Sequence, residues 1–373
     1  MNSMQVILIF TYDVSLKDWK ESGLLEREVA IYKELAQNFD IKFTFLTYGT
    51  KLDEDLIDHK NISVIPIYKL INKSKLKYLN YFKTLIIPFK LKSQLKNVDI
   101  IKTNQLNGSW LGIIFKFLFD APLFIRTGYN IYEFKKMQER PLFITLFYKY
   151  LTKLSYYYSD IFTVTTSVDK ENISLLCRDN FKLKIVKNYV SNLKINIDHN
   201  KDGNKLFSVG RLEPQKNYNA LIKILKNNNY HFDIVGKGSL KNKLLNTAKE
   251  NNVKLNLIEG LDHKELLCLY PKYKYFILNS KYEGNPKVVL EALASGCIVI
   301  CRDNLNIREI IINNINGFIY SDESEILSII NKLNKDDNLC KRIVSEGLKT
   351  IKENHLLEVI AKQEIEIYKN ITY

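Results

Sequence analysis

The sequence predicts an α/β fold of two domains, each built on a parallel sheet wound by helices. Short apolar segments rich in β-branched and aromatic residues alternate with amphipathic helical patterns along most of the chain. The length of 373 residues is sufficient for two domains of ordinary size. A polar run at 196–205, NIDHNKDGNK, separates the two alternating halves and is the best candidate for the boundary.

Composition and charge limit the class of function. The chain has 55 Lys plus Arg against 41 Asp plus Glu, a net charge of +14, which indicates an anionic partner: nucleic acid, a phosphorylated substrate or an acidic membrane surface. The five cysteines and five histidines show neither metal-ligand spacing nor a disulfide framework. We find no pattern of a signal peptide or a transmembrane helix and therefore expect a cytoplasmic protein.

The first half begins with a buried strand at 6–12, a polar loop and a helix at 24–36. Gly23, just before this helix, either lets the backbone approach a ligand closely or forms a simple turn, and both interpretations stay open. Further strands are predicted at 41–48, 62–67, 99–104, 122–125, 160–166 and 184–190, with helices at 107–119 and from 168.

Two segments of the first half are rich in aromatic residues. Residues 59–98 contain nine lysines and no acidic residue, a pattern typical of an anionic membrane contact or of a solvated helix face, and less of nucleic-acid binding. The second aromatic segment is residues 138–158. Its Lys149 and Lys153 argue against a membrane span, so a buried helix is favoured over a membrane-facing groove. Membrane contact would involve residues 68–97 and 132–158.

The second half alternates more regularly. Strands are predicted at 206–209, 231–235, 254–258, 275–279, 298–302 and 317–320, and a helical tail at 355–371. Ligands bind at the carboxyl ends of parallel strands, where Gly210, Gly236 and Glu283 fall. Gly236-Lys237-Gly238 is a phosphate-type loop that lacks the third glycine of a dinucleotide fingerprint, which weakens a dehydrogenase interpretation.

The most informative stretch is 280–301, SKYEGNPKVVLEALASGCIVIC, which we interpret as loop, helix, stop and strand. Asn285 is predicted to cap the helix, Pro286 to occupy its first turn and Gly296 to follow its end. A helix start binds phosphate well. Glu291 would lie about 7–8 Å along the axis from Pro286, so Glu283 and Glu291 could flank a bound diphosphate. The alternative is two surface glutamates on an amphipathic helix.

A second phosphate site is predicted at 207–221, FSVGRLEPQKNYNAL. Here Arg211 and Lys216 follow a strand, and Asn217 can cap the next helix. Two solvated loop cations are the alternative interpretation.

Together these stretches resemble the retaining glycosyltransferases of family 4, which have the GT-B fold. The resemblance rests on Gly210-Arg211-Leu212 with Pro214 and Lys216, on the two glutamates eight positions apart, and on the run EALASG at 291–296. It covers roughly residues 205–320 and implies two Rossmann-like domains with parallel sheets facing across a cleft. The expected ranges are 1–195 for the acceptor domain, 196–352 for the nucleotide-sugar domain and 353–373 for a helix crossing back to the first domain.

The resemblance also implies roles for individual residues. Arg211 and Lys216 would bind the diphosphate, Glu283 the transferred sugar and Glu291 the ribose, and we treat the first three as the catalytic set. The other expected donor contacts are Gly210, Gly236, Lys237, Leu261, Gly284, Asn285, Pro286, Lys287 and Val288. Gly23 and Arg126 are assigned to the acceptor or phosphate side. Many family members carry a sugar-contacting histidine near residue 126, whereas this sequence has none between 59 and 199.

The implied function is retaining transfer of a sugar from a nucleotide diphosphate sugar, with uridine expected from family frequency, to a glycan or lipid-linked acceptor. No metal or other cofactor is expected, nor is nucleic acid as a partner. Bacterial capsule or lipopolysaccharide synthesis fits, in the cytoplasm or at the inner face of the plasma membrane. A sugar-nucleotide epimerase of the same two-domain fold and a basic nucleic-acid-binding protein are the alternatives.

Overall fold

The chain forms two compact units in the structure, a computed structural model that describes residues 3–191 and 201–372. One unit comprises Met1–Val186 together with Ile360–Tyr373, and the other comprises Lys187–Val359. The boundary predicted at 195/196, and the first half of the polar run at 196–205 proposed to contain it, lie outside the described residues.

The first unit is built on a parallel sheet. Its strands are β1 Met4–Ile9, β2 Ile41–Thr47, β3 Ile62–Pro66, β4 Ile100–Thr103, β5 Leu123–Arg126, β6 Ile161–Val164 and β7 Leu183–Ile185. Among the described residues their order is β3-β2-β1-β4-β5-β6-β7, with every neighbouring pair parallel. Central strands are buried on both faces, which explains why they read as continuous apolar runs.

Helices connect these strands. They are α1 Leu16–Glu21, α2 Leu25–Asn38, α3 Ile67–Leu70, α4 Lys77–Thr84, α5 Ile87–Leu91, α6 Ser109–Phe119, α7 Ile131–Met137, α8 Leu142–Tyr158 and α9 Ser167–Cys177. The predicted polar loop after β1 was wrong in part, because it contains α1. Ser15 and Asp18 form a reciprocal capping box that starts this helix, which is too short to show a periodic pattern.

The second unit repeats the arrangement. Its strands are β8 Lys205–Val209, β9 His231–Val235, β10 Lys254–Ile258, β11 Tyr275–Leu278, β12 Ile298–Arg302 and β13 Phe318–Tyr320, in the order β10-β9-β8-β11-β12-β13. Its helices are α10 Tyr218–Ile224, α11 Lys241–Glu250, α12 His263–Leu269, α13 Lys287–Ala294, α14 Glu325–Asn334 and α15 Asp337–Asn354. The prediction of two parallel α/β sheets is confirmed. The order reverses between β8 and β11, and such a switch point is where open α/β sheets bind ligands.

The last helix, α16 Leu357–Thr372, contributes its residues from 360 onward to the first unit. Its Glu364 forms a buried ion pair with Lys102 of β4 and accepts a hydrogen bond from the Tyr368 hydroxyl at 2.5 Å. Lys102 lies within 5.4 Å of the ring centroids of Tyr32, Phe124 and Tyr368. Burial lowers the pKa of Lys102 to about 8, although Glu364 opposes the change.

The aromatic helix α8 is less buried than the sequence predicted. Interpretation as a buried helix was wrong for one of its faces, because Leu142 and Phe143 are each 72% exposed and Tyr150 and Tyr157 are also exposed. Only one side of α8, including Leu151 and Tyr156, is buried. Alternation of apolar and aromatic side chains around the whole helix concealed which face packs on the sheet. No described helix combines the length and hydropathy that crossing a membrane requires.

A buried histidine makes the stability of the second unit depend on pH. His355 follows α15, and its Nδ1 lies 2.9 Å from the carbonyl oxygen of Asn188, so Nδ1–H donates to that oxygen. Its Nε2 has no hydrogen-bond partner within the described part of the chain. Burial therefore lowers the pKa of His355 from 6.5 to about 4.

We expect the protein to lose stability as the pH falls from 6.5 to about 4, because the unfolded chain takes up a proton there and buried His355 does not. The full difference between the two pKa values corresponds to about 3 kcal/mol of unfolding free energy. His355→Asn retains a donor for the Asn188 carbonyl and cannot titrate, so its stability should fall less over this range. Urea unfolding followed by circular dichroism measures both proteins, and parallel pH profiles would contradict the assignment.

Candidate functional site

The candidate site lies at the switch point of the second unit, beginning with the loop between β11 and α13. The helix starts at Lys287, and Pro286 is its N-cap residue with extended backbone (φ −72°, ψ 112°). The prediction that Asn285 caps the helix and Pro286 lies in its first turn was therefore wrong by one residue. The backbone carbonyl of Asn285 is held instead, because it accepts a hydrogen bond from Asn188 Nδ2 at 2.6 Å.

The other end of α13 is as predicted. Ser295 is the C-cap residue, and Gly296 follows it with φ +70°, the left-handed conformation that favours glycine. Asn217 was predicted to cap α10. It occupies the N-cap position with φ +51°, but its side chain makes no cap hydrogen bond and Nδ2 donates to Glu323 Oε1 at 3.2 Å. The predicted position of Asn217 was therefore right, but the prediction that its side chain caps α10 was wrong.

A lysine and a glutamate meet at the centre of the site. Lys216 ends the 3-10 turn Pro214–Lys216 that follows β8, and its Nζ lies 2.5 Å from Glu283 Oε1. Their side chains are 11% and 10% exposed. A Cβ atom on Gly210 would lie 2.7 Å from Lys216 Cε, so the glycine makes room for the lysine stem. The structure thus brings three predicted site residues together.

Three amide contacts fix the loop that carries Glu283. Gln215 Nε2 donates to the Tyr282 carbonyl at 2.8 Å, and Lys281 N–H donates back to the Gln215 carbonyl at 2.9 Å. Asn306 Nδ2 donates to the Glu283 carbonyl at 2.7 Å. Gln215 and Asn306 were not identified from the sequence as positioning residues. Each contacts the backbone of a distant loop, which leaves no local pattern in the sequence.

Several buried polar atoms around this loop have no hydrogen-bond partner among residues 3–191 and 201–372: Ser280 Oγ, Asn285 Oδ1, Asn304 Nδ2 and Asn306 Oδ1. They belong to the segments that follow β11 and β12. Buried polar groups are normally hydrogen-bonded, because an unpaired one costs about 1–3 kcal/mol. These atoms can therefore bind polar groups of a ligand.

Glu291 lies inside the second unit. It is 3% exposed, its Oε1 is 2.9 Å from His263 Nε2, and its Oε2 accepts a hydrogen bond from the Tyr270 hydroxyl at 3.0 Å. Interpretation as a surface glutamate is therefore excluded for Glu291. His263 and Tyr270 were not identified from the sequence. Their segment, HKELLCLY at 263–270, gives no indication of this contact in the sequence, since both residues precede Glu291 by more than 20 positions.

Glycine at 236 and 238 has a packing explanation. A Cβ atom on Gly236 would overlap the carbonyl oxygen of Gly210, and one on Gly238 would lie 2.5 Å from the carbonyl oxygen of Leu212. The two loops also pair through Leu212 N–H, which donates to the Lys237 carbonyl at 2.9 Å. The phosphate-type loop is thus the direct neighbour of the Gly210 turn, and the Lys237 side chain is exposed beside it.

The remaining predicted residues are more dispersed. In the second unit Arg211 is exposed, with Nη2 3.5 Å from Gln215 Oε1, and Leu261 is half-buried before α12. In the first unit Gly23 has φ +71° between α1 and α2, and Arg126 ends β5 with Nη1 donating to the Asn104 carbonyl at 3.4 Å. Among the described residues no group of three His, Cys, Asp or Glu side chains could hold a metal ion.

Comparison with known proteins identifies similar sequences. Residues 191–350 match the family model described as Glycosyl transferases group 1. The chain is 28% identical over 303 residues to the UDP-Gal:alpha-D-GlcNAc-diphosphoundecaprenol alpha-1,3-galactosyltransferase of Escherichia coli, covering 72% of this chain and 76% of that protein. It is 26% identical over 231 residues to an uncharacterized glycosyltransferase of Methanocaldococcus jannaschii, covering 56% of this chain. The matched part spans only 59% of the archaeal relative's length.

Solved structures show the same architecture. The crystal structure of Anabaena Alr3699/HepE in complex with UDP superposes with a TM-score of 0.74 at 16% identity, covering 98% of this chain and 100% of that chain. At this identity the likeness concerns the fold alone. Together with the two parallel sheets, it confirms the predicted GT-B fold class.

Proposed function

We propose, from the match of residues 191–350 to the family model described as Glycosyl transferases group 1, that the chain transfers a sugar from a nucleotide diphosphate sugar to an acceptor hydroxyl with retention of configuration. The observation that carries the proposal is the contact between Lys216 and Glu283 at the β8/β11 switch point, beside the start of α13. A cation, a carboxylate and a helix start are the groups that a diphosphate and its sugar require.

The donor would bind in the second unit. Lys216 and Arg211 supply positive charge for the diphosphate, and the first turn of α13, at Lys287 and Val288, adds the positive end of the helix dipole. Glu283 would accept hydrogen bonds from the transferred sugar. The unpaired polar atoms of Ser280, Asn285, Asn304 and Asn306 surround the same loop and support this assignment.

Catalysis would be electrostatic. As the bond between the sugar and the diphosphate breaks, negative charge grows on the leaving group, and Lys216, fixed beside Glu283, would stabilise that charge. Because the lysine is 11% exposed, water screens its charge less than that of a surface cation. We propose that these residues perform the reaction without a metal ion.

The proposed donor nucleotide is uridine diphosphate, and the proposed acceptor is a glycan or lipid-linked glycan of a bacterial surface polysaccharide. The Escherichia coli relative supports both, since its name gives UDP-Gal as donor and a diphosphoundecaprenol-linked sugar as acceptor. The alternative of a sugar-nucleotide epimerase would need no acceptor. The family match of residues 191–350 favours transfer.

A panel of UDP-, GDP- and ADP-sugars tests the donor proposal through protection against thermal unfolding. One nucleotide class should protect, by about 2.7 kcal/mol at 100 times its Kd. Glu291→Gln, which keeps the shape of the buried side chain, should weaken protection, whereas Glu250→Gln at the exposed end of α11 should not. If no nucleotide sugar protects the wild type, the proposal is wrong. Protection without turnover of an acceptor would favour the epimerase.

We also propose that the first unit contacts an anionic membrane through 68–97 and 132–158. Phe82 and Phe89 of α4 and α5 are 68% and 62% exposed, and exposed Lys83 and Lys90 adjoin them in sequence. The exposed face of α8 supplies a further apolar surface. Aromatic side chains that enter the interface and lysines that meet anionic headgroups are typical of peripheral binding.

Sedimentation with phosphatidylglycerol vesicles tests this contact. Wild type should bind them and bind phosphatidylcholine vesicles less, because the lysines require anionic headgroups. Phe82→Ser with Phe89→Ser should weaken binding by about tenfold or more, because two large apolar side chains are lost from the interface. Phe181→Ser, at a still more exposed position of the same unit (85%), is the control outside the assigned segments. Equal binding of all three proteins would exclude the assigned segments.

A further inference from the structure

One short segment of the second unit holds both oxygens of a buried carboxylate. His263 is the first residue of α12, and Tyr270 follows the end of that helix. Their side chains contact Oε1 and Oε2 of Glu291 at 2.9 and 3.0 Å. Since the side chains of His263 and Tyr270 are 8% and 0% exposed, the carboxylate is fixed from within the core and has little rotational freedom.

Both donors are themselves anchored. Asp262 and Glu265 form a capping box, in which Glu265 N–H donates to Asp262 Oδ1 and Asp262 N–H donates to Glu265 Oε2, each at 2.8 Å. This box fixes the turn that carries His263. At the other end, the Tyr270 ring packs edge-on against Phe207 at 5.3 Å, and Cys297 Sγ–H donates to the Tyr270 carbonyl at 3.1 Å.

We infer that His263 and Tyr270 are positioning residues that orient the Glu291 carboxylate toward the ribose hydroxyls of the donor, and so make the site selective for ribonucleotides. The inference rests on the proposed function and on the ribose contact that the family resemblance implies for Glu291. An ionised carboxylate accepts about four hydrogen bonds, so the bonds from His263 and Tyr270 do not by themselves fill its acceptor positions. Leu261, an expected donor contact, precedes His263 by two residues, so one segment would both contact the donor and orient the carboxylate.

Deoxynucleotides separate this role from a purely structural one. We would measure Kd by calorimetry for UDP, 2′-deoxy-UDP and 3′-deoxy-UDP with full-length protein, and for GDP and ADP with their deoxy forms if UDP does not bind. Wild type should bind the ribonucleotide about tenfold or more tightly than at least one deoxy form, because a hydrogen bond to a charged group is lost. His263→Leu and Tyr270→Phe should reduce that ratio to about threefold or less, because the carboxylate is released.

Two matched variants serve as controls. His263→Gln retains an N–H donor and should keep most of the selectivity. Tyr273→Phe removes a hydroxyl that donates to Asp233 at 2.5 Å, from a ring that stacks on Phe207 in the same core, and should keep all of it. A general loss of stability would weaken ribo and deoxy ligands alike and leave the ratio unchanged. Thermal unfolding shows which variants fold, and the ratio of deoxynucleotide Kd to ribonucleotide Kd is compared only among the folded variants.

The outcomes distinguish two failures. If wild type binds none of the nucleoside diphosphates, the proposed function is wrong and the inference falls with it. If wild type binds one of them without selectivity, or if Tyr270→Phe and His263→Leu remain as selective as wild type, the inference alone is overturned. Loss of selectivity in these two variants with retention in His263→Gln and Tyr273→Phe supports it.

Discussion

Lys216→Met is expected to lower the rate of nucleoside diphosphate release from the donor by about 10²–10³-fold, the usual effect of removing one group that stabilises the developing charge. The lysine is held at 2.5 Å from Glu283 in a nearly buried position, so no mobile surface cation replaces it. Methionine fills a similar volume without the charge. The rate is measured at saturating donor, which separates the chemical step from weaker binding.

The matched control is Lys223→Met, which removes an exposed lysine from α10 of the same unit. Its rate should stay within about twofold of wild type, since exposed charges away from a site act weakly. Lys216→Met also leaves Glu283 without its cation, so thermal unfolding must show that the variant is folded. A folded Lys216→Met protein with a rate within about threefold of wild type would contradict the assigned role.

Lys102→Met should destabilise the first unit by about 3–5 kcal/mol, because it leaves the Glu364 carboxylate charged and buried without its cation. Only the Tyr368 hydroxyl would remain among the contacts described here for that carboxylate. Lys102→Met combined with Glu364→Gln removes both charges and should recover most of the loss, since an amide can still accept from Tyr368.

Both tryptophans, Trp19 and Trp110, lie in the first unit, so their fluorescence in urea reports on the unfolding of that unit. If Lys102→Met lowers the unfolding free energy by less than about 1 kcal/mol, the buried pair is not the anchor of α16 that the contacts indicate. If the double variant is as unstable as the single one, packing rather than charge explains the loss.

Much of this fold could be predicted because buried parallel strands leave a strong local signal. Strands β9, β10 and β12 have the predicted bounds. The run IVIC of β12 is continuously apolar and buried, whereas β9 and β10, with sequences HFDIV and KLNLI, begin with alternating polar and apolar residues. Helix α1 was not predicted, because its six residues form less than two turns and show no helical periodicity. The exposed face of α8 was not predicted, because composition does not tell which side of an aromatic helix packs on a sheet.

Some residues of the candidate site could likewise be predicted from the sequence, and others could not. Gly210, Lys216 and Glu283 follow strand ends, and a parallel sheet places strand ends of one edge together, so their proximity could be predicted. His263, Tyr270, Gln215 and Asn306 act through tertiary contacts to side chains or backbone groups 21–67 positions away. No periodicity or spacing reports such contacts, and only the folded chain shows them.

A crystal structure of the protein with UDP would show whether the donor binds at Lys216 and α13. We expect diphosphate oxygens within hydrogen-bonding distance of Lys216 Nζ and the first-turn N–H groups of α13, with the ribose against Glu291. Lys216 would then bind phosphate in addition to, or in place of, Glu283. A nucleotide bound elsewhere, with Lys216 and Glu283 still paired and α13 uncontacted, would contradict the proposed donor site.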